Sequence, residues 1–327
     1  MIVLDWVSFT LLFFIAFFYD ANALTWTGFQ ANSASEFAID QTPITSYTQV
    51  GLSVGVTTTS ATDRVLILVN ANMKLATTTS YATFTIFRDA INLSGTGTND
   101  MLCIRVADVT ERQSTSLSFL DIPGSAGTFT YSVQASGSGV LSPSGTKRQI
   151  AAMVFPNADF PNARASAAVK QTFTTTTYAP ATNLAASVTT TSSVDHVLVC
   201  VNINFQPLNT GTGSGAKFNI FRNGNIVGTY GMQVVRSEIA GNNRVASFIY
   251  VDGPGSVSTH AYTVRAAKID AADNDFDIND GNRETSQLAL IVISDKMVNN
   301  HRLATEVTVT STTWTTVGLS ISSTPVL

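Results

Sequence analysis

The side chains best suited to chemistry lie in one loop. From Lys268 to Glu284 the chain carries carboxylates at Asp270, Asp273, Asp275, Asp277, Asp280 and Glu284. Alternating aspartates offer hard oxygen ligands to a cation such as calcium. Counted from Asp273, carboxylates fall at positions 1, 3, 5 and 12 of a calcium-binding loop. Asp273, Asp275, Asp277 and Glu284 are therefore the candidate metal ligands. The pattern departs at position 6, where the loop's sharp turn needs Gly and this chain has Ile278. A solvated acidic loop is the competing reading.

Other chemistry is sparse. Cys103 and Cys200 are the two cysteines, and the histidines are His196, His260 and His301. None forms a His-x-His or Cys-x-x-Cys metal pair. No Ser or Cys stands beside a His as nucleophile and base, so the sequence points to no catalytic residue and no enzyme. Gly211 to Gly215 is a flexible connection before a strand, since it does not open a helix as a phosphate loop would. Asn92-Leu-Ser94 is the one N-glycosylation sequon, so Asn92 is a candidate glycan site, placed in a loop just past a strand.

The elements that hold these residues are repeated. Asp63-Arg-Val-Leu-Ile-Leu-Val-Asn70 returns as Asp195-His-Val-Leu-Val-Cys-Val-Asn202, 132 residues later. Phe84-Thr-Ile-Phe-Arg-Asp89 returns as Phe218-Asn-Ile-Phe-Arg-Asn223, and Met101 to Arg105 as Met232 to Arg236. Ser118-Phe-Leu-Asp-Ile-Pro-Gly124 loosely matches Ser247 to Gly255, and Tyr131-Ser-Val-Gln-Ala135 matches Tyr262-Thr-Val-Arg-Ala266. Segments in one order, joined by loops of varying length, are two copies of one domain. Trp314 to Ile321 echoes Tyr47 to Val54 and begins a third copy.

Residues shared by both copies are Arg88/Arg222, Arg105/Arg236, Asp121/Asp252, Pro123/Pro254, Tyr131/Tyr262 and Arg148/Arg283. Structural turns and a strand-end ion pair would leave this record, and so would one ligand pocket per domain. Cys103 stands where the second copy has Val234, and Cys200 where the first has Leu68. Each cysteine is thus expected to be a small buried hydrophobe rather than half of a disulfide.

Each copy reads as strands alone: runs rich in Val, Ile, Thr, Phe and Tyr, separated by Gly, Asn, Ser, Asp and Pro. Asn223-Gly224 marks a type I′ hairpin, and Asp89-Ala90 is expected to turn differently. The fold class is all-β: tandem antiparallel β-sandwich repeats, jelly-roll-like, behind an N-terminal signal peptide. Val65 to Val69 and Val197 to Val201 are apolar on both faces. One face belongs to the sandwich core. The other needs cover from a neighbouring segment, the adjacent repeat or another subunit.

Trp6 to Tyr19 is an apolar run of 14 residues, short of the ~20 that span a bilayer. Ala21-Asn-Ala23 follows as a cleavage site, although no basic residue precedes the run. The chain thus divides into a signal peptide at 1–23, a first β-sandwich repeat at 24–158 and a linker at 159–170. A second repeat follows at 171–297, and a partial third, its first strand, at 298–327. The mature chain is expected to be exported, with no membrane span.

Composition narrows the partners. Charged residues make up 12% and hydrophobic ones 44%, with a net charge of −4. That excludes a basic nucleic-acid binder and a charged coiled coil. Phe-x-Ile-Phe-Arg-[Asp/Asn], Ser-Phe, Asp-x-Pro-Gly and Tyr-x-Val-x-Ala together resemble the tandem jelly-roll (C1q/TNF-like) repeats of viral and phage fibre or appendage structural proteins. The resemblance covers about residues 44 to 297 and lies in framework positions. It implies self-assembly, since such domains commonly trimerise, and it carries over no binding residue.

The reading is an exported, non-enzymatic structural protein of a fibre, filament, coat, virion or cell surface. It is expected to form homo-oligomers or filaments through its repeats and through strand addition by the C-terminal segment. The alternative is a secreted carbohydrate-binding or adhesion module that takes a glycan on aromatics such as Tyr230 or Trp26, with calcium as its one possible cofactor.

Overall fold

The computed structural model describes residues 29–34, 47–73, 81–94, 101–105, 113–137, 148–156, 160–208, 214–227, 232–237, 243–279 and 285–293. The segments expected to be a signal peptide and a partial third repeat lie outside them. Every element described is a strand, and every pairing is antiparallel.

Repeat 1 contains β1 (Phe29–Ala34), β2 (Thr48–Thr58), β3 (Arg64–Met73), β4 (Tyr81–Arg88), β5 (Ile91–Asn92), β6 (Leu102–Arg105), β7 (Gln113–Asp121), β8 (Gly127–Gly137) and β9 (Arg148–Phe155). One sheet runs β1-β9-β3-β7. The other runs β2-β8-β4, with β5 and β6 along the far edge of β4. Leaving aside the short β5, the two sheets follow the strand orders 1-8-3-6 and 2-7-4-5. That is the double Greek key of a jelly roll.

Repeat 2 follows the same path. Its strands are β10 (Asn162–Ala167), β11 (Gln171–Phe173), β12 (Ala179–Thr189), β13 (His196–Pro207), β14 (Ser214–Arg222), β15 (Asn225–Ile226), β16 (Gln233–Ser237), β17 (Arg244–Asp252), β18 (Thr259–Lys268), β19 (Phe276–Ile278) and β20 (Ser286–Ile293). The order β10-β20-β13-β17 faces β12-β18-β14-β16, and β11 and β19 extend the first sheet. Gly215, expected in a flexible connection, lies within β14.

Alternation decides the core. In β2, Val50, Leu52, Val54 and Val56 point inward at every second residue. Across the sandwich they meet Val65, Ile67, Val69 and Phe119, and Ile86 of their own sheet joins the same cluster. A corresponding cluster in repeat 2 includes Leu184, Val188, Val197, Val199, Val201, Ile220 and Phe276.

The second apolar face of the Asp-Val-Leu strands is covered by the adjacent repeat. Leu66, Leu120, Met153 and Phe155 pack with Leu198, Cys200, Ala289, Ile291 and Ile293, all buried, with Leu68, Ile249 and Val251 at the margin. The chain is thus four sheets deep, and the central strands of the two inner sheets, around Leu66-Ile67 and Leu198-Val199, are buried on both faces. Each Leu or Ile in that seam contributes about 1.5–3 kcal/mol by leaving water.

Two boundaries move. Residues 162–167, read as linker, form β10 in the repeat 2 sheet, and β1 is its counterpart in repeat 1. The connection shrinks to residues 156–161, and Phe160 within it is buried in the seam against Phe155. The strand register also corrects one alignment. Val65 opposes Asp121 as Val197 opposes Asp252, so Ser116 corresponds to Ser247, with no gap up to Gly124 and Gly255. The repeated Ser-Phe pair, Ser118-Phe119 and Ser247-Phe248, is two residues out of that register.

Candidate functional site

Three of the residues kept in both copies, Arg88/Arg222, Asp121/Asp252 and Tyr131/Tyr262, close one end of each sandwich. Asp121 ends β7, and its Oδ2 accepts from Arg88 Nη1 at 2.7 Å and Tyr131 Oη at 2.8 Å. In repeat 2, Asp252 Oδ2 accepts from Arg222 Nη1 at 2.5 Å and Tyr262 Oη at 2.7 Å. Arg and Tyr belong to one sheet and Asp to the other, so each triad ties two sheets together. Burial, reinforced by the neighbouring Asp charge, pushes both phenols above the usual tyrosine range. The strand-end ion pair expected from sequence is therefore present, as a buried three-member lock.

Nearby turns repeat as faithfully. Asp63 Oδ2 accepts from the Thr59 and Ser60 amides at 2.8 and 3.0 Å, and Asp195 does the same for Thr191 and Ser192 at 2.8 and 2.7 Å. Asn223 and Gly224 both take positive φ, as a type I′ turn requires. In the matching turn only Asp89 does, so the two hairpins differ in type though not in length.

The acidic loop is dispersed among partners. Asp273 Oδ2 accepts from the Asp270 amide at 2.9 Å. Asp275 pairs with Lys268 Nζ at 3.2 Å. Asp277, fully buried on β19, accepts from Thr172 Oγ1 at 2.6 Å. Its other oxygen forms an ion pair with Lys170 Nζ at 2.6 Å. Asp280 and Glu284 lie outside the described residues. Among the described residues, no three His, Cys, Asp or Glu side chains form a group that could hold a metal ion.

Asn92 sits on β5 rather than in an open loop. Its Oδ1 accepts from Thr85 Oγ1 at 2.8 Å, the Ser94 amide at 2.9 Å and Ser94 Oγ at 2.8 Å. Both cysteines are buried thiols not joined in a disulfide, and burial pushes the Cys200 thiol up to about 12. His260 Nε2 lies 3.2 Å from both Thr190 Oγ1 and Ser258 Oγ. The ring is buried, no carboxylate is recorded on its Nδ1, and the first repeat has Phe129 in its place. That pattern is a filled turn rather than a nucleophile and its base. Trp26, Tyr230, Arg283 and His301 lie outside the described residues, as do the side chains of Arg105, Arg148 and Arg236.

Sequence reasoning missed two features. The first is the polar rim of the seam. Asn202 donates from Nδ2 to the Ser118 carbonyl and accepts from the Ser118 amide at 3.1 Å. Asn204 donates to the Met101 carbonyl at 3.2 Å and accepts from the Cys103 amide at 3.4 Å. Arg164 Nη1 donates to the Leu120 carbonyl at 2.9 Å. These side chains satisfy outward-facing main-chain groups of β7 and β6 that would otherwise template another strand. The alternation after Val201 was the available signal, because Asn202 and Asn204 share the face of Leu198 and Cys200.

The second is an aromatic pair on the outer sheet of each repeat. Tyr47 meets Phe87 at 5.5 Å and 66°, and Tyr178 meets Phe221 at 5.7 Å and 64°. A shared bulge follows each tyrosine, with positive φ at Gly51 and Asn183. In repeat 2 alone, Arg265 stacks over Phe221 at 4.1 Å and Lys217 over Tyr178 at 5.4 Å.

The fold and these sites define an all-β protein of two jelly-roll sandwiches. No protein-family model and no curated protein matches the chain. Solved structures similar to it include the CBM22-1-CBM22-2 tandem domain from Paenibacillus barcinonensis, at 9% identity, covering 82% of this chain and 95% of that one, with a TM-score of 0.24. Infectious bursal disease virus Gx strain aligns at 9% identity, covering 82% and 77%, with a TM-score of 0.24. The STIV MCP aligns at 9%, covering 81% and 97%, with a TM-score of 0.20. Likeness this slight assigns the chain to none of them. Among the described residues, no helix is long and apolar enough to cross a membrane.

Proposed function

We propose that the chain is an exported, non-enzymatic structural protein of a fibre, filament, coat or surface appendage, which self-associates. One observation carries this reading: the polar chemistry kept in both copies is spent on architecture. The Arg88–Asp121–Tyr131 and Arg222–Asp252–Tyr262 locks join sheets. The Asp63 and Asp195 turns fix strand entrances. The seam adds Asn202 and Asn204 of repeat 2, which seal strand edges between the repeats.

The seam changes how assembly would work. The double-faced strands are already covered within one chain, so they are not the surface that joins copies. Self-association then uses the outer sheets, the outer strands and the C-terminal segment. Light scattering on the mature chain, with and without residues 305–327, tests this. Concentration-dependent growth that weakens on truncation supports it. A monomer at all concentrations in both forms refutes it.

A further inference from the structure

On the outer sheet of repeat 2, two cations have no acid among the described residues. Among the described residues, Lys217 and Arg265 are the basic side chains whose contacts are aromatic rings alone. The others have ion pairs or hydrogen bonds: Arg88, Lys170, Arg222 and Lys268 pair with aspartates, and Arg64 and Arg164 bond carbonyls. Arg244 has a partner as well.

Lys217 and Arg265 are diagonal neighbours across β14 and β18, since Lys217 opposes Ala267 and Asn219 opposes Arg265. Like charges so placed repel unless an anion joins them. Arg265 Nε is buried and donates no hydrogen bond, an unmet donor beside a half-open face. The first repeat keeps the aromatic pair but has Thr83 and Gln134 at the equivalent positions. The charge is thus an addition to repeat 2, and the sandwich is built without it.

Lys217 lies over Tyr178, Tyr178 meets Phe221 and Arg265 lies over Phe221, so two cations and two rings form one cluster on the sheet face. We infer that this cluster binds an acidic polysaccharide. Such a polymer alternates carboxylate or sulfate groups with apolar sugar C–H faces, and an open sheet face suits an extended chain better than a compact ligand. Nucleic acid fits worse, because the chain's net charge is −4 and a phosphate backbone is met best by a positive surface. The inference does not depend on self-association.

The test is affinity electrophoresis of the mature chain in gels containing polygalacturonate, heparin or neutral dextran. Polygalacturonate and heparin separate a carboxylate ligand from a sulfated one. Retardation is expected in at least one acidic gel, absent in dextran, and weakened by salt. K217T/R265Q, which installs the first repeat's residues, should cut binding by about tenfold or more, since it removes both charged contacts. K217R/R265K keeps the charges and should retain most of it. An unchanged melting temperature shows that folding is intact, and light scattering on the same variants reports self-association separately. No retardation in either acidic gel, or retardation that survives K217T/R265Q, overturns the inference.

Discussion

Asn202 clasps the main chain of Ser118 with both ends of its amide, across the seam between the repeats. The amide takes the place a neighbouring strand would occupy. It satisfies the edge of β7 while ending the sheet there. Ser247 Oγ also donates to Asn202 Oδ1, at 2.7 Å, so the clasp is held from within its own repeat.

Removing that amide leaves a buried donor and acceptor without partners. Asn202→Ala is expected to destabilise by about 1–3 kcal/mol, as unsatisfied buried groups do. It should also raise aggregation by opening the β7 edge. Urea denaturation and turbidity measure the two effects, and a neutral variant would show that the seam does not depend on the clasp.

The two triads differ in exposure. The Arg88 and Asp121 side chains are 12% and 4% exposed, whereas Arg222 and Asp252 are 28% and 7% exposed. Breaking a buried pair costs about 3–5 kcal/mol because it strands a charge, and water reduces that cost. Asp121→Asn should therefore destabilise more than Asp252→Asn in denaturant titrations.

Alkali should weaken the fold before it weakens single contacts. The Cys200 thiol is held up to about 12, against 9.0 when free. The folded chain keeps that proton longer, so its contribution is complete below about pH 9 and declines as pH rises towards 12. Tyr131 and Tyr262, raised in the same direction, add to the loss above pH 10. Urea midpoints should fall across this range, and less steeply in Cys200→Ala. At neutral pH, thiol reagents should label neither buried cysteine until the chain unfolds.

Gly215 is a packing constraint. A Cβ there would lie 2.6 Å from Ile269 Cδ1 and 2.7 Å from Asp273 Oδ2. Gly215→Ala should cost about 1–3 kcal/mol through overpacking. It should also disturb the Asp270–Asp273 turn, read as a lower melting temperature.

Much of this was legible in the residues. Alternation in Thr48–Thr58, the duplicated Asp-Val-Leu strand and the Asn223-Gly224 turn specify strands, two sandwiches and a hairpin through local sterics and the two-residue period of a strand. The double-faced Val65–Val69 and Val197–Val201 also announced that something must cover them. Pattern alone does not say what, because an apolar face is not directional. Only the tertiary packing shows the two repeats covering each other, with Asn202 and Asn204 finding main-chain partners some hundred residues away. The acidic loop makes the same point in reverse. Its spacing matches a calcium loop, yet Lys170 and Lys268, brought in by the fold, lie against Asp277 and Asp275. Periodicity is a property of neighbours in sequence; which surface meets which is settled by contacts that close only when the whole chain has folded.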